Sequence, residues 1–563
     1  MFGLASGLVL AFAALLVWLG RTQLQPRRLT PSVVALPAAP TTLHPGRRGC
    51  ILDCRGCALA VSVPAKTVCA DPSLIFTRHE AIARTLEPRL GLREADLLAL
   101  LRPRLRTNAV TRQVLTNAYV VLKHKVPLDQ WQQITQAMAR LDLAEPARKK
   151  TASERLAWDA LRHRAVFGID DHRREYPNRT LAAHVVGFVA SGEVNTDHGR
   201  VFEDHGVSGI EQTFDQPLGG VHGWTSGCEA IAPQDGANVV LTLDTAIQAI
   251  VEDELARAMA EFTPVSACAV AIDPRSGNVL ALANAPNFDP NQPGAGLVGA
   301  RNRAISDLAE PGSTFKIVTI TSSIDAGVLS LSDTVFCENG RWFHGGAWLH
   351  DVHPYGILSY DRVVAKSSNI GTAKAALRLG TARLYHAVTN FGFGARSGLP
   401  LPAEAAGVIR PTNLWSRLSL TRVPIGQEVS ASPLQMVFAL GAIARGGWLM
   451  QPRLVDRLED GQGRVIVRYP TNQLRRVASE FACREMVRAL KLAVSKEGTA
   501  SAAQLEHYHA AGKTGTAEKF VNGTYKSGKY YASFIGFFPV EEPAVCLVVA
   551  VDEPDKRVAH MGG

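Results

Sequence analysis

Glu310-Pro311-Gly312-Ser313-Thr314-Phe315-Lys316-Ile317-Val318 sets a hydroxyl and an amine three residues apart at the head of an apolar run. Pro311 and Gly312 mark a turn, and the residues through Ile324 read as an apolar helix with Ser313 in its first turn. Residues three apart share a helix face, so the Lys316 amine is expected within reach of the Ser313 hydroxyl. An amine accepts a proton only when neutral, and a free lysine titrates at about 10.4. Burial and the positive end of a helix both disfavour the ammonium, and either would make Lys316 a base near neutral pH. Taken alone, a serine and a lysine at this spacing are more often two solvated side chains. No other lysine in the chain has a serine three residues before it.

Two further fragments follow, Ser367-Ser368-Asn369 and Lys513-Thr514-Gly515-Thr516. The order S-x-x-K, S-x-N, K-T-G resembles the signature of the penicillin-binding proteins and serine β-lactamases. Acyl transfer needs a nucleophile, a proton route, stabilisation of an oxyanion and a grip on substrate, and each fragment can supply one. Ser313 would attack the carbonyl and Lys316 take its proton. Ser367 would pass a proton to the leaving amine, while Asn369 would hold a substrate amide or orient Lys316. Without the other motifs, Ser367 and Asn369 would read as helix caps. Lys513, Thr514, Gly515 and Thr516 would form the substrate-binding strand. Lys513 would face a substrate carboxylate with its charge, Gly515 would admit substrate close to the backbone, and Thr516 would offer a hydroxyl. The resemblance further implies an oxyanion hole from the backbone N–H groups of Ser313 and Thr516.

The 563 residues allow two or three domains, and 46% apolar with 20% charged residues is a globular composition. A net charge of +9 is spread without a dense basic run, and no nucleic-acid motif is present; a mildly basic surface near anionic polymers or lipids fits better. Residues 1–20 are an uncharged apolar run long enough to span a bilayer, read as a retained anchor because no basic region precedes it and no cleavage site follows closely. Arg21, Arg27 and Arg28 lie on the wrong flank for the positive-inside rule, so either basic residues belong upstream or the long domain overrides the bias. Residues 21–47, rich in Pro and Thr, read as a linker.

From Arg48-Gly49-Cys50-Ile51-Leu52-Asp53 the sequence resembles the pedestal, or dimerisation-like, domain of class B penicillin-binding proteins, assigned to 48–235. The pattern returns at Arg173-Arg174-Glu175-Tyr176-Pro177, at Ala182 to Phe188 and at Gly206-Val207-Ser208-Gly209-Ile210-Glu211, whose counterparts help join pedestal to catalytic domain. Between Glu80 and Leu143 helical patterns carry no nameable chemistry, and Leu128, Trp131 and Ile134 read as core. Cys50, Cys54, Cys57 and Cys69 cluster; Cys54 stands where the family has Arg. No second Cys/His pair matches for zinc, a disulfide within the cluster stays open, and an odd total leaves one thiol unpaired. His344, His350 and His353 beside Asp351 read better as part of the loop Asp351-Val352-His353-Pro354-Tyr355-Gly356 leading to S-x-N than as a metal site. No metal and no cofactor are expected.

Val239–Leu243 reads as a strand, Ala246–Phe262 as a helix, Ala267–Ile272 with Val279–Ala283 as a hairpin, and Tyr531–Phe537 and Val545–Val551 as late strands. Strands at both ends with helices between imply an α+β fold, an antiparallel sheet covered by helices, for a transpeptidase domain at 236–563. Ala510 to Lys519 and Tyr531 to Phe537, with Gly426 and Ser430 to Gln435, are similar to septal D,D-transpeptidases. The resemblance therefore implies cross-linking of peptidoglycan stem peptides ending in D-Ala-D-Ala at division, with β-lactams as inhibitors. It also implies a periplasmic catalytic domain on an inner-membrane anchor, and a membrane glycosyltransferase and other division proteins as partners. Alternatives are an elongation-type class B enzyme acting in cell shape, a D,D-carboxypeptidase or β-lactamase-like hydrolase, and a non-enzymatic division scaffold. After Val551 the family enters a final helix, so the end at Gly563 is expected to leave one sheet face uncovered and to lower stability.

Overall fold

The structure is a computed structural model that describes residues 42–557 except 76, 104, 108–113, 117–118, 142–150, 197–198, 227–228, 296–298, 522–523 and 556. The expected anchor and the last six residues lie outside the described residues. Among those described, no helix is long and apolar enough to cross a membrane.

The N-terminal half is built on a long strand. Strands β1 (Ile51–Leu52) and β2 (Ala58–Ala70) precede helix α1 (His79–Leu90), strand β3 (Val120–Pro127), helices α2 (Leu128–Ala139) and α3 (Ala152–His163), and strand β4 (Val166–Glu175). β2 pairs antiparallel with β4 on one side, from Val61↔Glu175 to Ala70↔Val166, and with β3 on the other. The helices bury Ile82, Leu86, Leu90, Ile134 and Leu161 against Val68 and Val126 of these strands. Ile134 is core as expected, and Trp131 packs half-buried beside it. Leu128, also expected in the core, is 40% exposed because it is the first residue of α2 and projects from the helix end.

Strand β5 (Asn238–Leu241) runs parallel to β1, with Val239 opposite Ile51, and opens the C-terminal half. Helix α4 (Thr245–Phe262) follows, its N-terminus capped by Asp244, whose Oδ1 accepts from the N–H groups of Ala246 and Ile247. Strands β6 (Ser266–Ile272) and β7 (Val279–Ala285) form the expected hairpin, and β6 is buried on both faces. Next come helix α5 (Lys316–Asp325), the hairpin of β8 (Arg341–His344) and β9 (Ala347–His350), and helices α6 (Asn369–Leu379) and α7 (Pro433–Ala444). Strands β10 (Val455–Glu459) and β11 (Val465–Arg468), helix α8 (Glu480–Val494), and strands β12 (Ala511–Val521), β13 (Thr524–Phe538) and β14 (Val545–Asp552) complete it.

The central sheet has the order β7-β6-β14-β13-β12, antiparallel throughout. It is the α+β plan read from the sequence, with β12 at one edge. One face packs on α7 and α8 through Val270, Ile272, Ile535, Phe537 and Val548. The other is covered by α4 over β6 and β7, where Leu255 meets Ala267, Ala269 and Ala283. On that second face Phe534, Leu547 and Val549 of β13 and β14 are half-buried.

Two devices tie the halves together. β10 pairs with β5, so a seven-stranded sheet in the order β11-β10-β5-β1-β2-β3, with β4 also on β2, runs from one half into the other. Beside it Glu211, fully buried, accepts from Arg48 Nε at 2.8 Å and Arg174 Nε at 2.6 Å, while Tyr176 donates to the same carboxylate at 3.3 Å. Arg174 Nη1 also donates to the Gly49 carbonyl at 2.7 Å. The three sequence segments that resemble the family around Arg48, Arg174 and Glu211 are thus one buried charge cluster. Glu211→Ala leaves two buried guanidiniums without their shared carboxylate, and is expected to lower unfolding stability by roughly 3–5 kcal/mol, read by urea denaturation.

Candidate active site

Ser313 does not sit on the α-helix proper. Gly312–Phe315 is a 3-10 turn, and α5 begins at Lys316. The turn is fixed from three sides. Phe315 is fully buried edge-to-face on Phe393, with ring centroids 4.9 Å apart. Thr314 Oγ1 donates to the Pro311 carbonyl at 2.8 Å, and Gly312 N donates to the Gly426 carbonyl at 3.2 Å. Gly426 is needed because a Cβ there would lie 2.2 Å from the Gly312 carbonyl oxygen, at a backbone φ of +79°.

The turn faces a cleft of about 670 Å³ whose wall includes Ser313, Ser367, Asn369, Thr514 and Thr516. Three separate sequence motifs therefore meet on one surface. The lysines stand behind it. Lys316 is fully buried, and its Nζ donates to the Ser367 carbonyl at 2.5 Å, to Ser367 Oγ at 3.1 Å and to Asn369 Oδ1 at 2.8 Å. These bonds run to the S-x-N segment and not to the Ser313 hydroxyl. Burial first, and the charge of Lys513 second, hold the Lys316 amine well below the usual lysine range, with Asp351 working against them.

Lys513 is likewise fully buried and donates to the Thr514 carbonyl at 3.1 Å, so its ammonium is not on the cleft wall where the sequence reading put it. Burial pulls its pKa down to about 7. Gly515 also differs from expectation. A Cβ there would meet Ser533 Oγ at 2.6 Å, Thr314 Cγ2 at 2.9 Å and the Pro311 carbonyl at 3.0 Å. Its missing side chain lets the Ser313 turn seat against β12, rather than opening room for a ligand.

Asp351 escaped the sequence reading as a site residue. Its Oδ2 accepts from Ser368 Oγ at 2.6 Å, and its Oδ1 from the N–H groups of Asn369 and Ile370 at 2.5 and 3.0 Å. The carboxylate thus caps α6 and holds the S-x-N segment, in which Ser367 adopts φ +60°. Tyr355 donates to the Lys366 carbonyl at 3.4 Å from the other side, and Thr514 Oγ1 donates to Thr499 Oγ1 at 3.1 Å. The loop motif Asp351 to Gly356 marks the place in the sequence, but not the role of the carboxylate, because it acts on residues 17 to 19 positions away. Of the histidines in this region, His344 stacks on Trp342 and His353 meets Tyr355 edge-on. All eight described cysteines are free thiols, so the disulfide alternative for Cys50, Cys54, Cys57 and Cys69 is not realised.

A lysine whose pKa is lower folded than unfolded binds fewer protons in the folded state between the two values, so its contribution to stability rises with pH there. For Lys513 that window runs from about 7 to the unfolded value of about 10.4. Urea denaturation of wild type and Lys513→Met across this window is expected to show the variant lacking one lysine's upward slope; identical slopes would contradict the burial of Lys513.

Both halves of the chain match known proteins. The family described as "Penicillin binding protein transpeptidase domain" matches residues 267–563, and the "Penicillin-binding Protein dimerisation domain" matches 43–228. A "Probable peptidoglycan D,D-transpeptidase PenA" of Neisseria meningitidis is 33% identical over 69% of this chain and 66% of its own length, slightly under two thirds. Stage V sporulation protein D of Bacillus subtilis is 31% identical over 76% of this chain and 67% of its own. The crystal structure of penicillin-binding protein 3 of Mycobacterium tuberculosis in complex with aztreonam superposes with a TM-score of 0.66 at 26% identity, covering 91% of both chains. By its two matched domains and these relatives, the chain belongs to the class B penicillin-binding proteins.

Proposed function

We propose that this chain is a serine-type peptidoglycan D,D-transpeptidase that cross-links stem peptides ending in D-Ala-D-Ala through an acyl-enzyme on Ser313, and that β-lactams inhibit it by acylating the same residue. The observation that carries this reading is the convergence of Ser313, Ser367, Asn369, Thr514 and Thr516 on one cleft, with Lys316 buried behind them.

Ser313 Oγ attacks the carbonyl of the penultimate D-Ala, and its proton passes to Lys316, whose charged form burial disfavours. The hydrogen bond between Lys316 and Ser367 Oγ supplies a route for that proton to the departing D-Ala amine. An amine of a second stem peptide then attacks the ester carbonyl, loses a proton along the same route, and Ser313 leaves as the reprotonated hydroxyl. The backbone N–H groups of Ser313 and Thr516 hold the oxyanion, a contribution of about 2.7–4 kcal/mol per donor in such sites. Asn369 serves by orienting Lys316, which its Oδ1 accepts from, or by holding a substrate amide. Thr514 and Thr516 bind the substrate carboxylate from the cleft wall, and Lys513 contributes its field from behind β12. Gly515 lets β12 approach the nucleophile.

The likeness of residues 510–519 and 531–537 to septal enzymes supports a place at the division septum. In this reading residues 1–20 anchor the chain in the inner membrane, 21–47 link it to a pedestal at 48–235, and the transpeptidase domain from 236 onward works in the periplasm. Its partners there are a membrane glycosyltransferase and other division proteins.

Ser313→Ala is expected to abolish covalent labelling by a fluorescent penicillin while the fold is kept, read by intact-mass spectrometry. An adduct that survives on this variant would overturn the nucleophile. Lys316→Arg is expected to be nearly as inactive although it keeps the charge, because a guanidinium is no base near neutral pH.

A further inference from the structure

Beside the cleft stands a feature the acyl-transfer chemistry does not use. In the β8–β9 hairpin, Arg341 lies opposite His350 and Phe343 opposite Trp348, so these four side chains share one face of the ribbon. Phe343 is 57% and Trp348 50% exposed. Their rings meet at 5.3 Å and 61°, His350 lies nearly parallel to Trp348 at 6.3 Å, and the Arg341 guanidinium stands 5.1 Å from the Trp348 ring. The opposite face is the one that anchors the hairpin, through buried Leu349 and through Trp342, which sits under the Lys374 ammonium at 5.2 Å.

The platform is held rigidly, and to the site itself. Asn369 Nδ2 donates to the His350 carbonyl at 2.8 Å, Arg422 Nη2 to the Trp348 carbonyl at 2.9 Å, and Asp351 N to the Gly340 carbonyl at 3.0 Å. Two and three residues beyond His350, Val352 and His353 already line the cleft. The face is therefore joined directly to the cleft wall, within reach of a polymer whose peptide lies in the cleft.

We infer that the Arg341–Phe343–Trp348–His350 face is a saccharide-binding platform that takes the amino-sugar strand of the polymeric substrate whose stem peptide occupies the cleft. The inference rests on the transpeptidase reading for the identity of that polymer. Ring faces of Trp348 and Phe343 suit the C–H-rich faces of pyranose rings, and Arg341 and His350 bring N–H donors to hydroxyl and N-acetyl oxygens. Residues 341–350 contain no carboxylate. A stable protein interface buries about 800 Å² per partner, far more than two rings and their flanking donors present. The tip, His344-Gly345-Gly346-Ala347, carries no large apolar side chain for insertion into a membrane.

The test is isothermal titration of the folded protein with a soluble β-1,4-linked N-acetylglucosamine tetramer, a peptide-free probe. Wild type is expected to bind it, Trp348→Ala and Phe343→Ala to bind about ten-fold more weakly or not at all, and both variants to keep the wild-type rate of penicillin acylation. Absence of tetramer binding by wild type, or equal binding by Trp348→Ala, would overturn the inference. So would variants that bind tetramer normally but lose self-association, because the face would then be a protein contact. Failure of wild type to react with penicillin would strike the transpeptidase reading instead, and the titration reports on the platform independently of it.

Discussion

Complete burial of the Lys316 amine is the constraint on which the catalytic half depends. An ammonium removed from water is costly unless it is neutralised or surrounded by acceptors. Burial disfavours the ammonium, and the amine is bonded to the carbonyl and hydroxyl of Ser367 and the side-chain oxygen of Asn369, all on one short segment. That segment must be held in place, with Ser367 in a left-handed conformation, and the Asp351 carboxylate does so by accepting three hydrogen bonds from Ser368, Asn369 and Ile370. The nucleophile turn must in turn sit one step before the lysine, which the glycine contacts at Gly426 and Gly515 make possible. Each motif is thus a condition for the geometry of the next.

The motifs were legible because chemistry restricts them to particular residue types at short spacings. Ser313 and Lys316 are three apart, Ser367 and Asn369 two apart, and each pair can be recognised before any fold is known. The hairpin β6–β7 and the late strands were legible for another reason: their apolar runs are bounded by turn residues such as Asp273 and Gly277. What stayed hidden depends on contacts made across the fold. The apolar run after Pro311 reads as one helix, but the close approach of β12 and Gly426 goes with a 3-10 turn through Ser313. Gly515 reads as a gap for a ligand until Thr314 and Pro311 are seen against it. Lys513 reads as a charge facing the cleft until its burial is seen, and the loop motif that begins at Asp351 does not reveal that its carboxylate holds Ser368, Asn369 and Ile370.

The N-terminal half shares a sheet with the catalytic half, and a single buried carboxylate gathers Arg48, Arg174 and Tyr176 from segments far apart in sequence. Asp53, next to that seam, accepts from both the N–H and the hydroxyl of Thr245 at the start of α4. The helix that covers β6 and β7 is therefore bonded to the N-terminal half at its first residue. The N-terminal half is thus bonded directly to the elements that support the cleft.

The central claim is that burial makes Lys316 a base near neutral pH. Its most direct measurement is the rate of acylation of the intact protein by penicillin across pH, at constant ionic strength. The rate is expected to rise with pH through an ionisation well below the free-lysine value of about 10.4, as the buried amine loses its proton, and to level off above it. A rate that keeps climbing until the ordinary lysine range would show the amine charged at neutral pH, and would contradict the account.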